Sequence, residues 1–184
     1  QSYIQSIHNK KANKKGFPME IERKFLIRQL PEKFDSYPCA DIEQGYLNTS
    51  PVLRIRKKND SYIFTYKSAG LLSREELEVP LTQTAYEHLV PKCDGNLITK
   101  TRYKIPEQHG YTIELDVFHG CLEGLLLAEV EFPSEEEAFA FSAPDWFTVE
   151  VTEEPTFHNS SLSQAQPAQI LQAAKERLSN SPIL

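Results

Sequence analysis

The 184-residue sequence has no long apolar run, no regular cysteine pattern and no excess of basic residues. Its apolar stretches end after a few residues, which excludes a transmembrane helix because such a helix needs about 20 apolar residues. The three cysteines, Cys39, Cys93 and Cys121, are odd in number and widely spaced, so we predict neither a disulfide framework nor a zinc knuckle. Reduced thiols are typical of a cytoplasmic protein, which is the location we expect.

The charge balance is mildly acidic. Lys and Arg number 20 against 26 Asp and Glu, which gives a formal net charge of −6. General nucleic-acid binders usually show a basic excess, so we expect no nucleic-acid partner. We also expect no membrane partner, and we leave a homodimer open. The five histidines form no cluster with metal-ligand spacing and are expected on the surface or in loops: His8, His88, His109, His119 and His158.

The length predicts one domain with a single sizeable core. Residues 1–18 contain several lysines but no apolar segment that would make them a signal peptide. We therefore interpret 1–18 as an upstream or expression-derived extension and Met19 as the natural start. The domain is expected over 19–162, with 163–184 as a C-terminal helix and tail of the same domain.

Alternation with a period of two residues is the strongest pattern. In 19–27, the even positions Glu20, Glu22 and Lys24 are charged, whereas the odd positions are apolar except at Arg23. Successive side chains of a strand point to opposite faces, so this segment predicts a strand with one charged and one apolar face. Further strands are predicted over 41–48, 51–58, 61–67, 73–80, 97–105, 111–118, 126–132 and 147–152.

Helices are fewer than strands. Thr82 predicts the cap of a helix over 83–91, Ser134 begins a second that ends near Pro144, and Pro167 opens a third. Asn59 and Asp60 predict a tight turn, and 153–167 is interpreted as a polar loop. We therefore predict a mostly β (α+β) fold, built on an antiparallel sheet or barrel with a few flanking helices.

The charged faces repeat pairs of like charge from strand to strand. Carboxylates two residues apart point the same way and can converge on one hard cation. Paired arginines suit phosphate oxygens, because the guanidinium presents several donors in a fixed plane. The acidic pairs are Glu20/Glu22, Glu76/Glu78, Glu114/Asp116 and Glu129/Glu131, and the basic residues include Arg54/Arg56, Lys100/Arg102, Lys24, Lys67 and Arg74. If the sheet closes, these faces would line a wet interior.

The same residues resemble the CYTH domain, or triphosphate tunnel metalloenzymes, over about 19–162. Glu20-Ile21-Glu22-Arg23-Lys24 matches the Glu-x-Glu-x-Lys signature of that family. The later matches follow in order: Gln44-Gly45-Tyr46, Leu53-Arg54-Ile55-Arg56, Tyr66-Lys67, Glu76-x-Glu78, Lys100-x-Arg102-Tyr103, Glu114-x-Asp116, Glu129-x-Glu131, and Glu150-Val151-Thr152 with Asn159-Ser160. One departure is Glu153-Glu154, where short members carry Gly-Asp. The resemblance implies an eight-stranded tunnel, a triphosphate substrate, and magnesium or manganese.

With this resemblance, the charged residues are assigned candidate roles. The main metal site is expected at Glu20, Glu22, Glu129 and Glu131. Glu76, Glu78, Glu114 and Asp116 are expected to hold a second metal or to orient basic side chains. Phosphate oxygens are expected at Lys24, Arg54, Arg56, Lys67 and Arg102, while Arg74 is either a further ligand or a rim ion pair.

Lys100 resembles the lysine suggested as the general base in short members, and a lysine among other cations has a lowered pKa. Tyr46 is expected near it, as a catalytic residue or as an aromatic packed at a strand end.

The resulting functional hypothesis is metal-dependent hydrolysis of inorganic tripolyphosphate or a related triphosphate. Two alternatives use the same fold, a class IV-type adenylate cyclase and a thiamine triphosphatase. A third belongs to another class, a non-catalytic module that binds polyphosphate. Such a module would tend to lose its acidic pairs, and here they are intact.

Overall fold

The structure, a computed structural model, describes residues 19–68 and 73–181, without the side chains of Met19, Glu20, Ser73 and Arg74. The described strands are β1 (Met19–Leu26), β2 (Cys39–Thr49), β3 (Val52–Lys58), β4 (Ser61–Lys67), β5 (Ser73–Leu81), β6 (Asp94–Pro106), β7 (Thr112–Phe118), β8 (Leu126–Glu131) and β9 (Val149–Glu150). The described α-helices are α1 (Gln83–Leu89), α2 (Glu135–Ala140), α3 (Asn159–Gln164) and α4 (Pro167–Asn180). All nine predicted strands are present with shifted ends, and the last, predicted over 147–152, is limited to Val149–Glu150.

All strands belong to one antiparallel sheet in the order β5-β4-β3-β2-β6-β7-β8-β1-β9. Most neighbours in the sheet are also neighbours in the chain, so short turns suffice to connect them. The predicted turn between β3 and β4 is confirmed at Asn59, whose φ of 49° lies in the left-handed region.

The strand β1 brings the two ends of the sheet together. Residues 22–26 of β1 pair with β8, whereas Met19–Ile21 pair with Glu75–Ser73 of β5. Near its other end, Phe25 and Leu26 of β1 pair with the short strand β9 as well as with β8. The predicted eight-stranded antiparallel tunnel is therefore confirmed, although the β1–β5 contact covers only one end and the sheet is not a strict barrel.

One face of the eight strands encloses a space, here called the lumen, and the lumen has an apolar end. Lumen-facing apolar residues occur two positions from lumen-facing charged residues: Leu26 follows Lys24, Ile98 precedes Lys100, Phe118 follows Asp116, and Leu127 precedes Glu129. These four side chains are fully buried in one cluster with residues of the C-terminal helices, including Phe157, Leu162 and Ile170. Apolar packing thus closes one end of the lumen and leaves the charged residues beyond it.

The outer face of β1, β7 and β8 packs in a second core. Its members include Phe25, Leu115 and Val130, covered by Ala138 of α2 and by Phe147. Each strand packs its apolar face outward under helices and loops and directs its charged face inward. This arrangement explains why apolar and charged residues alternate in the sequence of each strand.

Arg23, the exception in the alternation of β1, lies on this outer face. Its Nε and Nη2 donate to Glu150 of β9 at 2.8 and 2.6 Å, and its Nη1 donates to the carbonyl oxygens of Ala138 and Phe141 at 2.9 Å each. The guanidinium thereby caps carbonyl oxygens at the end of α2. Helix α2 ends at Ala140, and the prediction that it extends to near Pro144 was wrong.

The helix caps agree with the sequence. Thr82 accepts a hydrogen bond from the Ala85 amide at 3.1 Å, and Ser134 accepts one from the Glu137 amide at 3.2 Å.

The interpretation of 153–167 as a polar loop was wrong, because it contains a 3-10 turn at Pro155–Phe157 and helix α3. Phe157 and Leu162 are the buried anchors of this segment, and they were too few to show a helical period.

No described helix has the length and apolar character that crossing a membrane would require. Cys39, Cys93 and Cys121 are all free thiols, as predicted.

The apolar end of the lumen yields a stability prediction. Leu127→Ala should lower the free energy of unfolding by about 2–5 kcal/mol, because it opens a cavity in a fully buried cluster. The matched control is Leu77→Ala on β5, where the side chain is 41% exposed and the change should stay within about 0.5 kcal/mol. Urea titration measures both, and equal losses would contradict the packing of the lumen end.

Candidate active site

The strand register brings the charged pairs predicted from sequence to the lumen. Directly opposite residues of antiparallel strands share one face. Glu22 lies opposite Glu131 and Lys24 opposite Glu129 between β1 and β8. The remaining pairings place charged residues of β6 opposite β7 and of β4 opposite β5: Arg102 with Asp116, Lys104 with Glu114, and Lys67 with Glu76.

Arg102 has several charged partners in the lumen. Its Nε and Nη2 donate to the two carboxylate oxygens of Asp116 at 2.6 Å each, a bidentate pair. Nη2 also donates to Glu129 Oε2 at 2.6 Å, and Nη1 donates to Glu114. Burial by itself lowers the pKa of Arg102, but Asp116, Glu114 and Glu129 outweigh it and raise the pKa well above its usual value. Arg102 therefore joins β6, β7 and β8 as a permanent cation.

Glu129 connects this cluster to β1. Lys24 Nζ lies 2.8 Å from Glu129 Oε1 and 3.9 Å from Glu22 Oε1. Burial raises the pKa of Glu129, but Lys24 and Arg102 outweigh this and hold the pKa well below its usual value. The carboxylate is thus ionised at neutral pH and is held between two cations.

A second group of charges lies on β3, β4 and β5. Arg54 Nη2 is 3.8 Å from Glu76 Oε1 and 3.6 Å from Glu78 Oε1, and it donates to Thr65 Oγ1 at 3.0 Å. Lys67 Nζ lies 3.5 Å from Glu76 Oε1. The carboxylates of β5 thus contact the cations of β3 and β4.

Arg56 retains hydrogen-bonding capacity in the lumen. Its Nη2 donates to Glu78 Oε1 at 2.8 Å, but its buried Nε has no hydrogen-bond partner among the described residues. Burial first, and then the neighbouring charge of Arg54, lowers the pKa of Arg56 to about 10. A buried donor without an acceptor costs free energy, and an anion in the lumen would supply that acceptor.

Lys100 lies where the charged part of the lumen meets its apolar end. Its side chain is almost fully buried, and its Nζ contacts Asp116, donates to Asn159 Oδ1 at 3.2 Å and lies 5.2 Å from the centre of the Phe118 ring. Burial lowers the pKa of Lys100 to about 8, although Asp116 opposes the shift. A neutral amine is therefore accessible near physiological pH.

Comparison with known proteins identifies the family. The family model of the CYTH domain matches residues 18–166. The chain belongs to the CYTH domain family.

Two CYTH relatives have the name inorganic triphosphatase. That of Nitrosomonas europaea is 44% identical over 153 residues, which are 80% of this chain and 99% of that protein. That of Acetivibrio thermocellus is 37% identical over 152 residues, 78% of this chain and 92% of that protein. A crystal structure of an inorganic triphosphatase matches with a TM-score of 0.62 and 40% identity, covering 79% of this chain and 95% of that one.

The predicted metal ligands of this CYTH domain are only partly described. The backbone of Glu20 lies in β1, but its side chain lies outside the described residues, as does that of Arg74. No group of three or more His, Cys, Asp or Glu side chains is placed to hold one metal ion among the side chains that the structure describes. The carboxylates instead lie beside cations, as Glu129 and Asp116 do.

Glu22 and Glu131 nevertheless fit a divalent cation. Like charges directly opposite each other in a sheet are destabilising, and these two glutamates are register partners at the lumen. Carboxylate oxygens are also the ligands that magnesium and manganese prefer. The donor set is consistent with a metal between β1 and β8.

Tyr46 lies in the apolar cluster. Its side chain is buried, and its hydroxyl accepts a hydrogen bond from Gln44 Nε2 at 3.0 Å. Packing at the apolar end of the lumen accounts for this position, and a catalytic part for Tyr46 remains a prediction.

Lys58 and Asn159 are lumen residues that were not among the sequence candidates. Lys58 shares the face of Arg54 and Arg56, so the alternation of β3 could have identified it. Burial and the nearby Lys104 lower its pKa. Asn159 was noted only as part of a motif, and because it reaches the lumen from a helix distant in sequence, no strand pattern could have indicated its contacts.

The Arg102 network predicts a large effect on stability. Arg102→Met should lower the free energy of unfolding by about 3–5 kcal/mol, because Asp116 and Glu129 would keep their charges and lose their shared partner. Lys104→Met is the matched control on the same face of β6. Lys104 is half exposed, and its ion pair with Glu114 should contribute less than about 1 kcal/mol. A small loss for Arg102→Met in urea titration would show that the network is dispensable.

Proposed function

We propose that this CYTH domain hydrolyses inorganic tripolyphosphate to pyrophosphate and orthophosphate inside the lumen. The observation that carries the proposal is the buried Nε of Arg56, which has no acceptor among the described residues. Triphosphate oxygens supply such acceptors, and planar guanidinium groups suit them. The names of the Nitrosomonas and Acetivibrio relatives support the same activity.

The basic residues of the lumen would bind the phosphate chain. Arg54, Arg56 and Lys67 extend from β3 and β4 on one wall, and Lys24 and Arg102 extend from β1 and β6 on the other. Cations on both walls would neutralise the charge that shifts during phosphoryl transfer. Glu76 and Glu78 would orient the first group of cations, while Asp116 and Glu114 would orient Arg102.

We further propose a magnesium or manganese ion held by Glu20, Glu22, Glu129 and Glu131. When bound, the ion would polarise phosphate oxygens and lower the pKa of a bound water. Glu76, Glu78, Glu114 and Asp116 would hold a second ion or orient the cations that they contact.

The chemical step needs a proton acceptor, and Lys100 is the candidate general base. In its neutral form, Nζ would accept a proton from the attacking water as a bond forms to the terminal phosphorus. The bond from that phosphorus to the bridging oxygen breaks, and pyrophosphate leaves with the bond electrons. The apolar end of the lumen beside Lys100 would limit competing water.

The charged lumen gives a reason to prefer hydrolysis to cyclisation. A cyclase must hold the ribose hydroxyl as a nucleophile, and positioning of this kind contributes about 7–11 kcal/mol to catalysis. The residues assigned above suit phosphate, metal or proton transfer, and none of them is assigned to adenine.

A phosphate-release screen tests the proposed function. Tripolyphosphate, ATP, thiamine triphosphate and pyrophosphate are compared with magnesium, with manganese and with a chelator. We expect orthophosphate fastest from tripolyphosphate, none with the chelator, and no cyclic AMP from ATP. Cyclic AMP with stoichiometric pyrophosphate would identify a cyclase, and tight binding of polyphosphate without turnover would identify a binding module.

Arg56 gives a second prediction. Arg56→Ala should lower kcat/KM for tripolyphosphate by about 10- to 100-fold, because charge-assisted hydrogen bonds contribute about 1.5–3 kcal/mol each. Its thermal stability should change little, since the substitution also removes an unsatisfied buried donor. Arg56→Lys should recover only part of the activity, because lysine lacks the planar fork. Full activity of Arg56→Ala would contradict phosphate binding at this position.

Lys100 predicts a pH dependence. Because its pKa is lowered to about 8, the neutral base is scarce below that pH and predominant above it. We expect log kcat/KM to rise with a slope of about one below pH 8 and to level off above it. Lys100→Met should lose this limb together with about 10²- to 10⁴-fold in rate. Lys104→Met is the control that should keep the limb, and a limb that survives in Lys100→Met would assign the base elsewhere.

A further inference from the structure

Helix α3 is fixed against the first residues of β6. The carbonyl oxygen of Ser163 lies so close to Gly95 that a Cβ there would be 2.1 Å away, and the φ of Gly95 is +69°. Asn96 Nδ2 donates to the carbonyl oxygen of Ala165 at 3.4 Å, while Leu162 is fully buried. A glycine contact, a hydrogen bond and an apolar anchor thus hold the helix against β6.

The first residue of α3, Asn159, contacts two charged residues of the lumen. Lys100 Nζ donates to Asn159 Oδ1 at 3.2 Å, and Asn159 Nδ2 donates to Glu129 Oε1 at 3.4 Å. The same Glu129 oxygen lies 2.8 Å from Lys24 Nζ. The amide therefore connects the candidate general base with a carboxylate from the opposite side of the cluster.

The chemistry of this position requires an amide. An ammonium group only donates hydrogen bonds and an ionised carboxylate only accepts them, so a side chain between the two must do both. A carboxylate at 159 would repel Glu129, and an apolar side chain would satisfy neither neighbour. A glutamine would add one methylene to a helix whose position is already fixed by Gly95 and Leu162.

We propose that Asn159 is a positioning residue that acts through Lys100, an inference that rests on the proposed function. Its amide holds the Lys100 ammonium from the side of α3, while Asp116 and the Phe118 ring hold it from β7. A lysine has four rotatable side-chain bonds, and a misplacement of about 1 Å can cost about 100-fold in rate. Helix α3 thereby contributes to catalysis by orienting the base.

A double-mutant cycle tests this proposal with Asn159→Ala and the size-matched Asn159→Leu. Each should lower kcat for tripolyphosphate by about tenfold or more and change KM by less than about threefold, because the phosphate ligands are intact. In a Lys100→Met background, the same substitutions should cause no further loss, since the two residues act as one unit. Gln164→Ala, at the other end of α3, is the matched control and should leave kcat unchanged.

A second measurement does not depend on activity. In NMR spectra of protein labelled with ¹⁵N-lysine, the Lys100 ammonium protons should exchange with water more rapidly in Asn159→Ala than in the wild type, with thermal unfolding confirming that both are folded. Unchanged kcat, an equal loss in both backgrounds, or unchanged proton exchange would each overturn the role of Asn159. If the wild type releases no phosphate from tripolyphosphate, the proposed function fails, and the exchange measurement alone decides whether Asn159 positions Lys100.

Discussion

Pairing of opposite charges inside the sheet is the constraint on which the rest of the molecule depends. Transferring a carboxylate or a guanidinium from water to a protein interior is costly unless a partner and hydrogen bonds compensate. Arg102 meets this condition with Asp116, Glu114 and Glu129, and so it also connects β6, β7 and β8. The lumen can remain polar because its charges occur in such sets, and the outer faces can then pack as ordinary apolar cores.

The same arrangement separates two kinds of environment along the lumen. Beyond Lys100 and Glu129, the lumen-facing positions become Phe118, Ile98 and Leu127, which pack under α3 and α4. Lys100 lies at this boundary, where burial lowers its pKa and fixed neighbours limit its movement. Arg56 lies within the charged region and keeps a buried donor available. The candidate base and the candidate anion-binding group thus occupy distinct surroundings within the lumen.

Much of the sheet and of the candidate site could be predicted from the sequence, because side chains alternate between the two faces of a strand with a period of two residues. Pairs such as Arg54/Arg56 and Glu129/Glu131 identified both the strands and the face that meets the lumen. Two features depended on contacts distant in sequence and could not be predicted from local patterns. Arg23 pairs with Glu150 and donates to a carbonyl oxygen at the end of α2, and Asn159 reaches Lys100 from a helix. Which carboxylates are left to bind a metal also depends on which of them pair with lysine or arginine side chains. These pairings follow from the tertiary structure.

The central claim is that triphosphate and metal bind together inside the lumen. A crystal structure of the protein with tripolyphosphate and manganese, recorded with anomalous scattering, tests it most directly. The account predicts a phosphate oxygen within hydrogen-bond distance of Arg56 Nε and a manganese signal beside Glu22 and Glu131. Tripolyphosphate bound on the outer face of the sheet, or manganese away from the lumen carboxylates, would contradict it.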